Sequence, residues 1–347
     1  MPKKTIAVIF GGCSTEYEVS LQSAYSVLTH LDGKKLNIVP IGITRHGDWY
    51  HYLGSYERII DDSWTENRNE LVRVAVSNSR SVKGIIELRN VGSSVIPLDL
   101  VFPVLHGKNG EDGTVQGLFE LLGIPVVGCG TLASALCMDK DRAHRLVHNA
   151  GISVPNSVTV THRNSAKLRE LVQSLNFPVF VKPVKAGSSF GISKIYHLNE
   201  LEEAVDQAFR YDDTVIVEEN IDGFEVGCAV LGIDDLIVGR VDEIELSHGF
   251  FDFKEKYTLE TSKIHMPARI DRPCELMIQE TAKRIYRVLG CSGFARVDMF
   301  LKPDGQIVFN EVNTIPGFTS HSRYPNMLKG IGIDFSEVLE RLISLYE

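Results

Sequence analysis

The pattern of hydrophobic and polar positions along this chain predicts strands that alternate with helices. The apolar run Thr5–Phe10 predicts a buried strand of a parallel sheet, and Leu36–Ile43 and Leu98–Leu105 predict a second and a third strand. Apolar residues at helical spacing predict helices over residues 18–31, 114–122, 131–150, 199–211, 271–290 and 333–346. This alternation is typical of α/β proteins. The segment 45–91 is mixed in pattern, and we expect it to be irregular.

A hairpin is predicted late in the chain, where two runs of alternating side chains flank Asp304-Gly305. Asp-Gly favours a two-residue turn, and counting back from it places Asp298 opposite Glu311 and Arg296 opposite Asn313. Facing carboxylates repel each other. Either a cation such as Mg²⁺ or Mn²⁺ holds these oxygen ligands together, or the strand face is wet and Arg296 pairs with one acid. The dry face of the first strand would carry Ala295, Val297, Met299 and Leu301.

Glycine-rich loops follow several predicted strands. In Gly11-Gly12-Cys13-Ser14-Thr15-Glu16, Ser14 is expected to cap the next helix, whereas Glu16 could hold an ammonium group. His106-Gly-Lys-Asn-Gly-Glu-Asp-Gly follows the third strand, at the edge where open sheets bind ligands. Lys182 ends a strand that is followed by the loop Gly187–Gly191. Small residues there let backbone N–H groups approach a phosphate, although a flexible surface loop is the alternative.

Two polar segments allow a functional and a structural interpretation. Glu218, Glu219 and Glu225 follow a predicted strand, and they are either solvated or hydrogen-bonded to an adenine amino group or a ribose hydroxyl. Phe250–Tyr257 alternates aromatic with charged residues and predicts a lid over a polar ligand, with an interface patch as the alternative. On its own segment, Lys140 would be a solvated charge on a helix.

Composition narrows the class of protein. The length of 347 residues suggests two or three domains, the first closing near Gly128. A net charge of −9 without a basic tail argues against nucleic acid as a partner. Six scattered cysteines without a C-x-x-C pair indicate reduced thiols in the cytosol rather than a zinc site or disulfides. We expect no membrane span, because no apolar run is long enough.

Taken together, these motifs resemble the D-alanine–D-alanine ligases, a family of ATP-grasp enzymes, over nearly the whole chain. The motifs that carry the resemblance are Gly-Gly-Cys-Ser-Thr-Glu16, the His106 loop, Lys182-Pro with Gly-Ser-Ser-Phe-Gly, Lys256-Tyr257, Arg296-Val-Asp298 and Asn310-Glu-Val-Asn313-Thr-Ile-Pro-Gly317. The resemblance implies an ATP-grasp fold of three α/β domains, at 1–128, 129–217 and 218–347, with a substrate lid at 246–265. ATP would lie between the central and C-terminal sheets of a cytoplasmic enzyme that forms a homodimer.

The resemblance also implies roles for individual residues. ATP would be held by Lys140, Lys182, Gly187, Ser189, Glu218, Glu219, Ile221 and Glu225. Two Mg²⁺ or Mn²⁺ ions would be held by Asp298, Glu311 and Asn313. The catalytic residues would be Glu16, Ser188, Lys256, Tyr257, Arg296 and Gly317. The substrate-binding residues would be His106, Phe318, Ser322 and Arg323. D-alanine would be activated as an acyl phosphate and then attacked by the amine of a second D-amino acid.

Arg323 departs from the D-alanine–D-alanine pattern, in which leucine is common. A guanidinium offers donors to a hydroxyl and leaves a polar hole against a methyl group. In this the chain is similar to the vancomycin-resistance D-alanine–D-serine ligases, which implies D-serine as the second substrate, and Phe318 would reshape the same pocket. A surface arginine is the alternative for Arg323. The alternative functions are a D-alanine–D-alanine ligase, a ligase for other acid and amine pairs, and a non-catalytic nucleotide-binding protein.

Overall fold

The structure, a computed structural model, describes residues 3–187, 190–246 and 262–346. In these ranges the strands are β1 (Lys4–Gly11), β2 (Leu36–Ile43), β3 (Trp49–Tyr52), β4 (Leu71–Val76), β5 (Gly84–Leu88), β6 (Ser93–Pro97), β7 (Leu100–Pro103), β8 (Ser157–Thr161), β9 (Val179–Pro183), β10 (Ser193–Ile195), β11 (Thr214–Glu219), β12 (Phe224–Gly232), β13 (Ile237–Val238), β14 (Asp242–Leu246), β15 (Ser262–His265), β16 (Gly293–Leu301) and β17 (Ile307–Asn313). The helices are α1 (Tyr17–His30), α2 (Glu57–Ile60), α3 (Thr114–Leu122), α4 (Thr131–Met138), α5 (Lys140–Asn149), α6 (Leu168–Leu171), α7 (Leu201–Ala208), α8 (Arg272–Val288), α9 (Arg323–Lys329) and α10 (Phe335–Ser344). Among the helices described, none is long and apolar enough to cross a membrane.

The first sheet has the strand order β6-β5-β4-β3-β2-β1-β7. The apolar strand β1 lies between β2 and β7 and is parallel to both, as its buried run predicts. The expectation that residues 45–91 are irregular is wrong, because β3, β4 and β5 extend this sheet by antiparallel pairing. Their pattern is obscured by paired polar side chains: Glu87 is buried and accepts hydrogen bonds from His51, Arg89 and Ser94.

The second sheet has the order β10-β9-β11-β8 and is antiparallel throughout. In this sheet Ile216 on β11 pairs with Lys182 on β9, and Glu218 pairs with Phe180. The next strand residue, Glu219, pairs with Val179. The strand predicted to end in a lysine therefore lies directly beside the strand predicted to carry the acidic residues.

The third sheet has the order β15-β14-β12-β16-β17, and β13 pairs with β12. The predicted two-residue turn between β16 and β17 is wrong. Lys302 N donates to Gln306 O at 3.0 Å, so the loop has one residue more, with Gly305 in the left-handed region at φ +83°. The register also shifts between Asp298 and Met299, where β17 has one extra residue.

These two departures from a regular hairpin cancel at the functional end of the strands. Asp298 pairs with Glu311 and Arg296 pairs with Asn313, as the register counted from the sequence predicts. The predicted dry face is also confirmed, since Ala295, Val297, Met299 and Leu301 belong to one buried cluster.

Helices that lie far apart in sequence join the sheets into shared cores. The predicted helix over 131–150 is two helices, α4 and α5, because Asp139 has extended backbone angles and its side chain accepts from Arg142 N at 3.0 Å. Both helices pack with the third sheet, whereas α9 packs on β12 of the third sheet and, with α10, belongs to a core shared with the first. The predicted domain division stays a prediction, and a boundary after residue 217 would fall inside β11.

Four buried thiols lie in the core of the third sheet, namely Cys228 on β12 and a group of three neighbours. Cys129, Cys137 and Cys291 are 2%, 4% and 8% exposed, and the Sγ atoms of Cys137 and Cys291 are 3.6 Å apart. All six cysteines of the chain are free thiols, and Cys13 is the exposed one. A hydrogen bond with Cys129 lowers the pKa of Cys291, but the Cys137 thiol and burial outweigh it and raise this pKa well above its ordinary value.

Candidate active site

A cavity of about 530 Å³ opens between the second and third sheets. Its walls come from β9 and β11 on one side and from β12, β14 and β17 on the other. Most of the residues predicted to contact ATP line it, namely Lys140, Lys182, Glu218, Glu219, Ile221 and Glu225. Glu311, predicted to bind metal, also lines this cavity. The fold therefore brings together residues that are separated by up to about half of the chain.

The floor of the cavity pairs lysines with acids. The Lys182 ammonium bonds directly to Glu218 Oε1, and both side chains are buried. Burial opposes a charge on Glu218, but attraction by Lys182 outweighs it and lowers the pKa of this carboxyl. Lys140 donates to the Ala186 carbonyl at 3.1 Å and lies 3.5 Å from Glu311 Oε2. Because Lys140 is buried, the interpretation as a solvated helix charge is wrong.

The predicted metal ligands converge on one side of the β16–β17 hairpin. Asp298 is 1% exposed, and its Oδ2 accepts from Asn313 Nδ2 at 2.8 Å and from Arg296 Nη2 at 2.7 Å. Carboxylate and amide oxygens are the donors that Mg²⁺ and Mn²⁺ prefer, so the residues fit such ions. In the described ranges there is no preformed group of three His, Cys, Asp or Glu metal ligands. Arg296 and Arg323 supply the positive charge next to Asp298. The pairing of Arg296 with an acid agrees with the alternative interpretation of this strand face.

Arg323 is buried among three carboxylates at the start of α9, so the interpretation as a surface arginine is wrong. Its side chain is 8% exposed. Nε and Nη2 donate to the two oxygens of Asp242 at 2.7 and 2.8 Å, and Nη1 donates to Glu225 Oε1 at 3.0 Å. Nη2 is also 3.5 Å from Asp298 Oδ1. Although burial disfavours the charge, these acids raise the pKa of Arg323 well above its ordinary value.

Glu16 lies between two glycine loops that come from different sheets. It is 7% exposed, and a methyl group on Gly107 or Gly187 would lie 2.4 or 2.6 Å from its Oε2 atom. A side chain at either position would therefore displace the Glu16 carboxylate. The prediction that Ser14 caps α1 is wrong, because its hydroxyl donates to His106 O at 2.7 Å and the helix begins beyond it, at Tyr17.

Glu111 is a residue that the sequence analysis missed, although it belongs to the His106 loop. Its Oε2 accepts from Gly107 N at 2.9 Å, and its Oε1 accepts from Ile315 N at 3.0 Å. Burial raises the pKa of Glu111 to about 8, and the charges of Glu16 and Glu311 add to this effect. The only sequence signal was its place in a glycine-rich loop after a strand, since its partners lie 4 and 204 residues away.

His106 and Phe318 lie behind the loops rather than on the cavity wall. Both ring nitrogens of His106 have protein partners, since Nδ1 is 2.8 Å from Ile315 O and Nε2 is 3.1 Å from Ser23 Oγ. Burial lowers the pKa of His106 to about 4. Phe318 is 1% exposed and packs edge-on to Phe294 at 5.4 Å between ring centres.

Gly317 and Ser322 lie side by side where the hairpin leads into α9. A methyl group on Gly317 would lie 3.0 Å from Ser322 Oγ, and this oxygen accepts from Thr319 N at 3.0 Å. The remaining predicted site residues, Ser188, Ser189, Lys256 and Tyr257, lie outside the described residues, as does most of the predicted lid.

Comparison with known proteins identifies the family of this chain. Residues 5–129 match the family model described as D-ala D-ala ligase N-terminus, and residues 146–344 match D-ala D-ala ligase C-terminus. The vancomycin B-type resistance protein VanB of Enterococcus faecalis is 44% identical over 350 residues, with 99% of each chain covered. The D-alanine–D-alanine ligase of Caldicellulosiruptor bescii is 44% identical over 351 residues, with 99% of this chain and 95% of the relative covered.

The same result comes from a solved structure. The crystal structure of VanG D-Ala:D-Ser ligase from Enterococcus faecalis has a TM-score of 0.94 and 64% sequence identity, and each chain is covered completely. The predicted family and the predicted ATP-grasp fold are therefore confirmed. This chain belongs to the D-alanine–D-alanine ligase family, whose members are ATP-dependent ligases.

Proposed function

We propose that this chain joins D-alanine to D-serine with the hydrolysis of ATP to ADP and phosphate, for peptidoglycan precursor synthesis and vancomycin resistance. The cavity between the second and third sheets supports the site for ATP, because lysines and acids from seven elements line it. The observation that carries D-serine is Arg323, a buried guanidinium held 3.5 Å from Asp298. The likeness to a D-Ala:D-Ser ligase over the full chain supports the same substrate.

In the proposed first step, Glu16 holds the ammonium of D-alanine while a carboxylate oxygen of D-alanine attacks the γ-phosphorus of ATP. The bond from that phosphorus to the β–γ bridging oxygen breaks, and ADP leaves. Lys140 and Lys182 exchange their present partners, Ala186 O and Glu218, for phosphate oxygens. Glu218, Glu219 and Ile221 would contact adenine, and Glu225 the ribose. By the resemblance, Gly187 and Ser189 would lie beside these phosphates, Ser188 and Tyr257 would be linked to Glu16 by hydrogen bonds, and Lys256 would belong to the lid.

In the proposed second step, the deprotonated amine of D-serine attacks the carbonyl carbon of the acyl phosphate, the bond from that carbon to the phosphate oxygen breaks, and the proton lost by the nitrogen leaves with the phosphate. Arg296 and Gly317 N–H would stabilise the oxyanion, and one such donor contributes about 3 kcal/mol. Ser322 would hold the carboxylate of D-serine. Arg323 would donate to its hydroxyl through the second hydrogen of Nη1, since the other N–H groups face acids. His106 and Phe318 would shape this end of the site from behind.

Asp298, Glu311 and Asn313 would hold Mg²⁺ or Mn²⁺, which neutralises phosphate charge during phosphoryl transfer. For this, the side chains that now donate to Asp298 must give way at the oxygens that bind metal. We also propose that the enzyme is a cytoplasmic homodimer; sedimentation of the purified chain at a single mass of one protomer would contradict the dimer.

The substrate proposal predicts the outcome of removing Arg323. We expect Arg323→Leu to lower the ratio of kcat/KM for D-serine over D-alanine by about tenfold or more, since a hydroxyl donor is lost and an apolar wall gained. Because Leu leaves Asp242 without its cation, the variant Arg323→Leu with Asp242→Asn is measured alongside it. Products are identified by mass after incubation with D-alanine, with and without D-serine. An unchanged ratio in folded variants would remove Arg323 from the specificity site.

The same assay tests the alternative functions. A D-alanine–D-alanine ligase releases as much ADP with D-alanine alone as with added D-serine. A non-catalytic protein binds ATP and releases no ADP with any substrate pair, and a ligase for other pairs appears in a screen of acids and amines. Dependence of ADP release on added Mg²⁺ or Mn²⁺ after treatment with a chelator tests the metal ions.

A further inference from the structure

A buried pair of unpartnered polar atoms lies behind the floor of the cavity. His144, on α5, is 3% exposed, and Glu218, on β11, is 2% exposed. His144 Nδ1 and Glu218 Oε2 face each other at 4.0 Å, and within the described chain neither atom has a hydrogen-bond partner. Buried polar atoms without partners are rare in folded proteins and need a physical explanation.

The tautomer of His144 makes both facing atoms acceptors. His144 Nε2 lies 2.8 Å from the carbonyl oxygen of Asn310, the extra residue of β17. A carbonyl oxygen only accepts, so Nε2 carries the hydrogen and Nδ1 of the neutral ring has a bare lone pair. One proton added to Nδ1, with a shift of about 1 Å, would turn the gap into a charge-assisted hydrogen bond to Glu218.

Lys182 supplies the charge that Glu218 needs in the absence of nucleotide. The lysine occupies Oε1, the other oxygen of the same carboxylate. The charged groups that face His144 are Lys140, one turn earlier on α5, Lys182 on β9 and Glu218 on β11, and the ring of Phe309 packs against it at 5.5 Å. Burial lowers the pKa of His144, and the two lysines add to this effect against the attraction of Glu218. The ring is therefore neutral while Lys182 stays in place.

We propose that His144 is a positioning residue that takes up a proton when nucleotide phosphates draw Lys182 away from Glu218, so that an imidazolium replaces the ammonium as the partner of that buried carboxylate. The proton comes from solvent to Nδ1, and no other bond changes. The inference rests on the proposed function, because it requires phosphates to contact Lys182. Without this exchange, release of Lys182 would leave the buried Glu218 carboxylate without a cation in contact, even where adenine donates to it, and this is strongly unfavourable.

The exchange predicts proton uptake when nucleotide binds. Calorimetric titration of the full chain with ADP and excess Mg²⁺, in two buffers of different ionisation enthalpy at about pH 7.5, counts the protons taken up. We expect uptake approaching one proton per ADP for the wild-type chain. Affinity for ADP is then expected to weaken as pH rises through the pKa of His144 in the complex, because the bound form holds the extra proton.

Two histidine variants on the same helix separate this role from a structural one. His144→Gln keeps a donor for the Asn310 carbonyl but cannot be protonated, so we expect the proton uptake to disappear and ADP affinity to fall about tenfold. His148→Gln, one turn further along α5 on its exposed face, is the control and should behave as wild type. Thermal melts without nucleotide establish that each variant is folded.

The outcomes separate this inference from the function on which it rests. If the wild-type chain shows neither heat nor thermal stabilisation with ADP, the proposed function fails. If ADP binds without proton uptake, or if His144→Gln takes up protons as wild type does, the role of His144 is wrong and the proposed function stands. Should His144→Gln not fold, a wild-type ADP affinity that does not change with pH would still overturn the proposal.

Discussion

At the residue scale, the site is built from charged groups whose neighbours decide their state. Glu111 bridges Gly107 N and Ile315 N, and it lies near the charges of Glu16 and Glu311. Burial is the largest of the effects that raise the pKa of Glu111 to about 8. A carboxyl whose pKa is raised on folding favours the folded state when it is protonated, so this group links stability to pH.

Replacing Glu111 with glutamine should change how stability depends on pH. Below the ordinary carboxyl pKa of 4.5, Glu111 is protonated in both states, and as pH rises through about 8 the folded protein must carry a disfavoured charge. The wild-type unfolding free energy should therefore fall relative to that of Glu111→Gln across this window, by about 1.4 kcal/mol for each unit of pKa displacement.

Denaturant unfolding at about pH 5 and about pH 9, with chelator present, measures this difference. Glu120→Gln is the matched control, because Glu120 is exposed and also accepts from a backbone N–H, that of Thr131 at 2.8 Å. Equal pH dependence in wild type and Glu111→Gln would show that Glu111 titrates like an exposed carboxyl.

Residue-level prediction from the sequence succeeded for the faces of the strands, because side chains alternate with a period of two along a strand. The Asp-Gly signal put Asp298 across from Glu311, and the structure has that pair because the longer loop and the extra residue of β17 offset each other. Glu111 and His144 were missed because their states depend on partners up to 204 and 166 residues away, which no local pattern reveals. Arg323 was singled out, but its three acidic neighbours come from β12, β14 and β16 and could not be read from its own segment.

At the element scale, one break in a helix positions a residue of the site. The apolar spacing over 131–150 predicts a continuous helix, but Asp139 ends α4 and caps α5. Lys140 is therefore the first residue of α5, and its backbone N–H donates to Val184 O at 3.3 Å, beside the Ala186 carbonyl that its side chain contacts. The cap thus ties α5 to the loop after β9.

Removing this cap should affect both stability and use of ATP. We expect Asp139→Ala to lower the free energy of unfolding by about 1 kcal/mol, the typical value of an N-cap, and to raise KM for ATP, because Lys140 loses its fixed position. Asp271→Ala is the control: it removes the same bond, to Cys274 N at 2.9 Å, from α8 away from the cavity. Both variants should lower the melting temperature, and an equal KM for ATP would contradict the link to Lys140.

The strand segment 45–91 marks what hydrophobic periodicity cannot predict. Strands β3, β4 and β5 are only four to six residues long. Polar pairs such as His51 Nδ1 and Glu87 Oε1, 2.8 Å apart, replace apolar contacts on their surface. Apolar residues such as Val74 and Ile85 do lie in these strands and are buried, but their runs are short and interrupted by polar positions, so the pattern did not stand out.

At the scale of the whole molecule, the hydrophobic cores combine residues from sheets and helices that lie far apart in the sequence. The junction of these cores is held by Tyr346, whose hydroxyl accepts from Gly128 N and donates to Gly128 O, both at 2.9 Å. Just before it, Val127 N donates to Val101 O in the first sheet at 2.8 Å, and just after it, Cys129 packs in the core of the third. The side chain of Tyr346, just after α10, is therefore bonded to the segment that links the first sheet to α4.

Loss of this hydroxyl should loosen the junction locally. We expect Tyr346→Phe to destabilise the fold by about 1 kcal/mol and to speed amide exchange at Gly128, whose N–H loses its acceptor. Tyr324→Phe is the matched control, because this buried tyrosine donates to Val230 O at 3.1 Å within the third sheet. Unchanged exchange at Gly128 in Tyr346→Phe would contradict the role given to Tyr346.

The cluster of buried cysteines gives the protein an internal reporter of its own opening. Cys129, Cys137 and Cys291 are buried, whereas Cys13 is exposed. Thiol contacts and burial raise the pKa of Cys129 and of Cys291, which makes these thiols less reactive. A thiol-modifying reagent will therefore label Cys13 at once and the core thiols only as fast as the third sheet parts from α4. The rate of the slow phase of labelling, followed by mass spectrometry, reports how often that opening occurs. The decrease of this rate on addition of nucleotide measures how strongly the bound ligand stabilises the closed molecule.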